Sequence, residues 1–323
     1  MTHSGHLVSH IKNPGLVSDN TLHVIGVFSN PVRYHSRYRL AREWREEMEK
    51  TANVRCYIAE AAFGDRHHEV TEDIEPHLRL RTRSEIWVKE NLINLAVRDL
   101  LPRDWKYVAW VDGDISFRNP QWAQETLHQL QHFAVLQPWQ QCVDLGFDGN
   151  VLQTHQSFGF LRERGVKIQK NSTDPYPYGH SGFAWACRRD FWEQACGLMD
   201  WCILGSADHH MAWGMIGQVD ETIHRGMTSA FFRLCRDWQE RAVRITNTQV
   251  GFAPGRIEHG FHGPKHRRYY RERWQILVDH HFDPVKDLVR DSQGMIQLVG
   301  KPALEAAVRR YNRARFEDSI EET

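Results

Sequence analysis

Three apolar runs alternate with two helical stretches over the first third of the chain, and that order leaves few folds open. The first run, "LHVIGVFSN" (22–30), reads as a buried strand closed by Asn30-Pro31. "RYRLAREWREEMEK" follows as a helix, with Leu40, Trp44 and Met48 spaced by four. "NVRCYIAEAAFG" supplies a second strand ending near Glu60. "SEIWVKENLINLAVRDLLP" is expected to be a helix capped by Ser84 and stopped by Pro102. The third strand, "KYVAWVDGD", runs into Asp112 and Asp114. This succession predicts an α/β fold with parallel pairing and right-handed crossovers. In open α/β sheets ligands bind beyond the carboxyl ends of the strands, which is where the two aspartates fall.

Beyond Asn119-Pro120 the pattern continues with a helical stretch to His132 and a short strand, "FAVLQPW". Residues 144–180, rich in Gly, Asp, Asn and Pro, read as a long irregular insertion ending in Tyr176-Pro-Tyr178-Gly-His180. Such a loop is a candidate lid. "GFAWAC" (182–187) is strand-like, and in "RRDFWEQACG" Asp190 and Glu193 are spaced as a capping box with Gly197 as the stop. A terminal amphipathic helix is expected from Pro302, with Leu304, Val308 and Tyr311 on one face. The expected organisation is a loose tail (1–20), a catalytic domain (21–265) and a basic C-terminal extension (266–323).

The 323 residues include 41 Lys+Arg and 41 Asp+Glu, a formal net charge of zero. That argues against a surface built wholly for nucleic acid and leaves room for a local basic patch. The one basic run, Lys265-His-Arg267-Arg268-Tyr-Tyr-Arg271, interleaves cations with aromatics. Two readings stand for it: a solvated helix face, or a track for a phosphate backbone. The six cysteines form no CxxC pair and are expected to be reduced and mostly buried. No signal-peptide core and no membrane-length apolar run is visible, so the expected location is the cytoplasm.

Two carboxylates one residue apart repel each other and call for compensation. Hard divalent cations favour carboxylate oxygens, and Mg²⁺ or Mn²⁺ commonly bridges them to a diphosphate. The plainer reading makes Asp112 and Asp114 turn residues. In "GRIEHGFHG" (255–263), His259 and His262 stand among glycines, and imidazole beside carboxylate favours Mn²⁺ over Mg²⁺. His209-His210 and His280-His281 compete for that role from predicted helices. Asp208, in the first turn of a helix, either complements the helix dipole or serves as a general base.

Taken in order, these segments resemble the metal-dependent GT-A glycosyltransferases, and among them the inverting β1,4-galactosyltransferase family. "KENLINLAV" before "YVAWVDGDISF" is similar to that family's helix, strand and DxD. "SGFAWACRRDFWEQACG" with "LGSADHHMAWGMIG" is similar to its acceptor segment, and "EHGFHG" stands where its metal-binding His is placed. The likeness covers roughly residues 22–265, with a fainter one to phage and bacterial sugar-nucleotide transferases. The C-terminal helical extension has no counterpart in the family. The likeness implies a mixed, mostly parallel sheet flanked by helices, Mn²⁺ (or Mg²⁺), and a UDP-sugar donor. It further implies Asp114 as principal metal ligand, with His262 and then His259 completing the shell. Asp112 would contact ribose or metal-bound water, Asp208 would be the base, Glu60 would meet the nucleobase, and Asn30 and Arg33 would hold uridine. The acceptor is left open between a glycan and a hydroxymethylated base in DNA. A nucleotidyltransferase or a non-catalytic binding protein are the alternatives. The first of these normally carries a glycine-rich loop where this chain has "SNPVRYHSR".

Overall fold

The computed structural model describes residues 21–166, 177–270 and 272–321. The first half opens with β1 (Leu22–Ser29), α1 (His35–Lys50), β2 (Val54–Phe63), β3 (His77–Thr82), α2 (Lys89–Leu100) and β4 (Tyr107–Val111). β1 pairs in parallel with both β2 and β4, and β2 with β3. The expected strand–helix alternation is therefore present, with differences at its edges. β2 runs three residues past Glu60, which lies mid-strand. β3, "HLRLRT", escapes the sequence reading because its arginines face solvent, as suits an edge strand.

α2 begins at Lys89, not at Ser84. Ser84 caps nothing; its Oγ accepts the Leu298 N–H at 3.0 Å. The consequence is functional. A crossover helix runs back along the sheet, so its first turn lies at the carboxyl edge of the strands, and here that turn carries Lys89 and Glu90.

The chain continues through β5 (Ile115–Phe117), α3 (Trp122–Gln129), β6 (Val135–Gln137), β7 (Gln141–Leu145), β8 (Val151–Gln156) and α4 (Phe158–Glu163). The stretch expected to be one irregular insertion is thus a β7–β8 hairpin followed by a helix as far as 163. Of the proposed lid, residues 167–176, including Tyr176, lie outside the described residues. Next come β9 (Ala184–Arg188), α5 (Arg189–Ala195), α6 (Ala207–Met215), α7 (Ser229–Thr246), β10 (Gly251–Phe252) and β11 (Arg256–His259). The capping box at α5 does not form: Asp190 pairs with Arg188 at 2.9 Å and Glu193 with Arg189 at 2.6 Å. The chain closes with α8 (Arg273–Asp279), β12 (Leu288–Arg290), β13 (Ile296–Leu298) and α9 (Pro302–Ala314).

The main sheet has the order β10-β6-β9-β4-β1-β2-β3, with β9 antiparallel to both neighbours and the remaining pairs parallel. This is the mixed, mostly parallel, helix-flanked sheet that was expected. Its two faces carry separate apolar layers, one built on Leu92, Trp110, Phe191 and Trp238, the other on Val24, Trp44, Val111 and Trp139. α1 packs so closely on β1 that a Cβ at Gly26 would lie 2.4 Å from the Trp44 ring, so only glycine fits there. Leu304 and Val308 of α9 are fully buried in the first layer, and Tyr311 nearly so; the segment after 265 shares the core of the rest. All six cysteines are free, five of them buried. Among the described residues no helix is long and apolar enough to cross a membrane.

A smaller sheet, β5-β11-β7-β8, stands beside the main one and sets the site. Its register places His259 opposite Ile115 on one side and opposite Asp144 on the other. Side chains paired across neighbouring strands share a face, so β11 delivers His259 between Asp144 and the aspartate turn.

Candidate active site

Asp112, Gly113 and Asp114 form the turn between β4 and β5, held by the Ile115 N–H donating to the Asp112 carbonyl at 3.2 Å. A Cβ at Gly113 would fall 2.2 Å from the Phe28 ring, so the turn needs glycine there. The two carboxylates part company across it. Asp112 forms an ion pair with Lys89 of α2. Burial raises the Asp112 pKa, with Lys89 opposing and the Asp114 charge reinforcing. The compensation asked for by the sequence therefore comes from two different directions.

Asp114 faces the two histidines. Its Oδ2 lies 3.0 Å from His262 Nε2 and 3.7 Å from His259 Nε2, and the two imidazole Nε2 atoms are 3.2 Å apart. Its Oδ1 is buried and has no hydrogen-bond partner among the described residues. One ligand atom from each of these three residues lies within 4.8 Å of the others, which is the spacing a single cation needs. Burial pushes the Asp114 pKa up, but the charge and hydrogen bonds of His259 and His262 outweigh it and hold the carboxyl well below its usual range. Burial likewise lowers His259, and Asp114 and Asp144 more than reverse that, bringing it to about 9. A cation and the His259 proton therefore compete for the same atoms. One carboxylate and two imidazoles form a hard-to-borderline donor set of the kind Mn²⁺ accepts. Asp112 lies outside this group.

Asp144 was missed by sequence reading, although "CVD" repeats the apolar-to-Asp step of "WVD". It is 1% exposed, and its Oδ1 accepts from His259 Nδ1 at 2.7 Å. That bond places the proton on Nδ1 and aims Nε2 at Asp114. Asp144 also contacts His155 of β8 and the Lys265 ammonium. Burial raises its pKa, yet His155, His259 and Lys265 together hold it far below the ordinary carboxylate value. Outer carboxylates of this kind fix ring orientation, and their loss costs roughly 10–100-fold in metal affinity. Asp144→Asn is therefore expected to weaken Mn²⁺ binding about tenfold to a hundredfold while Asp114 stays in place. A calorimetric Mn²⁺ titration checks this, and unchanged affinity would exclude the positioning role.

Across the site, Asp208 sits in the first turn of α6, as expected, with its Oδ1 accepting the His209 N–H at 2.9 Å. A Cβ on Gly182 would come within 2.8 Å of Asp208 Oδ2, so glycine leaves the space this carboxylate occupies. Glu90 is a second residue the sequence did not reveal. Burial, opposed by Lys89 and aided by the Asp208 charge, pushes its pKa up to about 8. Of the competing histidines His209 lines the same cavity as Asp208, but none of the four joins the Asp114 group. His210 is buried against Thr222, and His280 and His281 follow α8 with His280 turned to the Ile276 carbonyl.

Asp112, Asp114, Asp208, His259 and His262 all line one cavity of about 1110 Å³, with Trp87, Tyr178, Trp213 and Trp274 as aromatic walls. A smaller cavity of about 160 Å³ adjoins it through Gly113, Asp114 and His262, and it collects Asn30, Arg33 and Glu60. Asn30 is engaged by the Tyr34 backbone, donating at 2.8 Å and accepting at 3.0 Å. The Glu60 carboxylate accepts the N–H groups of Glu69, Val70 and Thr71 and the Thr71 hydroxyl, so it ties down its own loop. Arg33 is exposed at the rim.

Among its described residues the basic run sends three of its cations to partners within the chain. Lys265 turns inward to Asp144, and Arg268 reaches His262 Nε2 at 2.9 Å. Arg267 lies over the Phe316 ring, 4.7 Å from its centroid, and pairs with Glu321 at 3.3 Å. Arg271 lies outside the described residues. The C-terminal end itself enters the site: Glu317, 3% exposed, pairs with Arg37 and Arg315 and stands 3.7 Å from His262 Nδ1.

No protein-family model matches the sequence, and no curated protein does. Solved structures do match by shape. TarS from S. aureus (residues 1–349) aligns at TM-score 0.43 and 12% identity, over 80% of this chain and 64% of that one, so this chain spans less than two thirds of it. A Drosophila β1,4-galactosyltransferase 7 mutant, in complex with manganese, UDP-Gal and xylobiose, aligns at TM-score 0.39 and 12% identity over 89% and 98%. Both TM-scores lie below 0.5, so neither match by itself assigns a role to any residue here.

Proposed function

We propose that this chain is a metal-dependent glycosyltransferase of GT-A type. It moves a sugar from a nucleoside-diphosphate sugar, a UDP-sugar in the first instance, to an acceptor hydroxyl with inversion at the anomeric carbon. The observation that carries the reading is the convergence of Asp114, His259 and His262 at the end of β4, in one cavity with Asp208. A carboxyl edge of a mostly parallel sheet is the expected place for a nucleotide.

Asp114, His259 and His262 would hold the cation, Mn²⁺ or Mg²⁺, which when bound supplies charge neutralisation for the departing diphosphate. Asp144 holds the His259 Nδ1 proton, so that Nε2 is the atom that would meet the cation once its own proton is displaced. The Lys89–Asp112 pair offers a fixed donor and acceptor for hydroxyl groups of the ribose or the sugar, which is a positioning role. Glu90, whose carboxyl pKa is pushed up by burial to about 8, lines the same cavity. Asp208 accepts the proton of the acceptor hydroxyl as that oxygen attacks. The aromatic walls suit the apolar faces of sugar rings and exclude water from the donor. With the basic run turned inward, nothing on the described surface favours DNA as acceptor, and a hydroxyl-bearing glycan or small molecule fits the cavity better.

The test needs no acceptor. A panel of sugar nucleotides is incubated with Mn²⁺, Mg²⁺ or chelator and free nucleoside diphosphate is measured. Slow, metal-dependent release from one donor is expected. Equal release with chelator, or none from any donor, would remove the reading.

A further inference from the structure

Two guanidinium groups on the C-terminal wall of the large cavity have no carboxylate in direct contact among the described residues, and Arg268 feels Glu317 and Asp114 only at a distance. Arg268 donates to Tyr270 Oη at 3.2 Å and lies 2.9 Å from His262 Nε2. Arg273 stacks on the same phenol, 5.1 Å from its centroid, and bonds Ser206 Oγ, which also accepts the Trp274 indole N–H at 3.0 Å. Ser206 has φ 75 and makes no side-chain cap on α6, so its hydroxyl is given over to Arg273 and Trp274. Among the described residues neither arginine has a carboxylate within ion-pair distance. The other cations of this cavity, Arg37, Lys89, Lys265 and Arg315, each have one. Arg273 Nε is, in addition, buried without a hydrogen-bond partner.

A guanidinium in a partly closed cavity with no carboxylate in direct contact is stabilised when a ligand supplies that contact. The planar fork of a guanidinium matches phosphate oxygens in pairs. We propose that Arg268, at the Tyr270 hydroxyl, and Arg273, over the Tyr270 ring, form a phosphate-binding subsite beside the Asp114–His259–His262 group. The subsite is built from the segment after 265, outside the stretch that carries the family likeness. It rests on the reading of this cavity as a sugar-nucleotide site only in its choice of phosphate source. That source is either the donor's diphosphate or a phosphate carried by the acceptor.

The experiment is calorimetric titration in EDTA with three probes, UDP, pyrophosphate and glycerol 1-phosphate, on wild type, Arg268→Gln and Arg273→Gln. Arg225→Gln, an exposed arginine outside the cavity, is the charge control. Loss of a charge-assisted bond predicts about tenfold to a hundredfold weaker binding in each cavity variant, with the control unchanged. If a Gln variant melts early, the Lys variant replaces it; keeping the charge and losing the fork should still cost several-fold. UDP and pyrophosphate weakening together, with no glycerol phosphate binding, supports the donor source. Glycerol phosphate binding to UDP-saturated wild type, and lost in Arg273→Gln, supports the acceptor source. Wild type binding none of the three, or both variants binding as tightly as wild type, overturns the subsite. A chain that binds pyrophosphate through these arginines yet releases nucleoside diphosphate from no donor keeps the subsite and loses the transferase reading.

Discussion

Asp114→Ala is expected to abolish metal-dependent donor cleavage, with kcat/KM falling at least about a thousandfold, equivalent to roughly 4 kcal/mol of transition-state stabilisation. The expectation follows from what Asp114 alone supplies. Among the described residues it is the one carboxylate facing both Nε2 atoms, and its charge is the first cause that lifts His259 against burial. Without it two imidazoles face each other at 3.2 Å with no anion between them, and a neutral pair attracts a hard cation weakly. A folding defect is separated by thermal melting, since loss of activity with an unchanged transition belongs to the site. Retention of metal-dependent release in a folded Asp114→Ala protein would mean that the cation, if any, is held elsewhere.

Asp208→Asn should leave binding intact and stop the chemistry. Asparagine keeps the shape and still offers an oxygen to the His209 N–H, so the first turn of α6 is preserved. What disappears is the ability to take a proton, and removal of a positioned base costs about 10²–10⁴ in kcat. Donor KM and Mn²⁺ affinity should move less than about threefold, because Asp208 belongs to neither group. The check is steady-state transfer with the acceptor found by screening, beside acceptor-independent donor hydrolysis. A kcat within a factor of a few of wild type would move the base elsewhere.

Much of this was legible in the sequence because it follows from local periodicity. The β1–α1–β2 and α2–β4 units were visible in apolar spacing, and the placing of Asp112 and Asp114 followed from strand order alone. Asp208 could be put in a helix's first turn for the same reason. What stayed hidden depends on tertiary pairing. Asp144 acquires meaning only when β7 lies beside β11 in the register that sets it opposite His259. Lys89 looked like a mid-helix residue until the helix was found to begin there. Glu317 lies more than fifty residues from His262, and no sequence pattern connects them. Glu60 and Asn30 show the converse: each stands where a ligand contact was expected, but its polar atoms already serve nearby backbone. The basic run illustrates the limit of charge patterning, since direction decides whether cations meet a partner outside or line a cavity within.

The most direct test is a Mn²⁺ titration followed by electron paramagnetic resonance, on wild type and Asp114→Ala, with and without UDP. The proposed site requires one ion per chain, bound more tightly when UDP is present and lost in the variant. Absence of binding by folded wild type, or equal binding by Asp114→Ala, would contradict a cation held by Asp114, His259 and His262 and with it the metal-dependent mechanism.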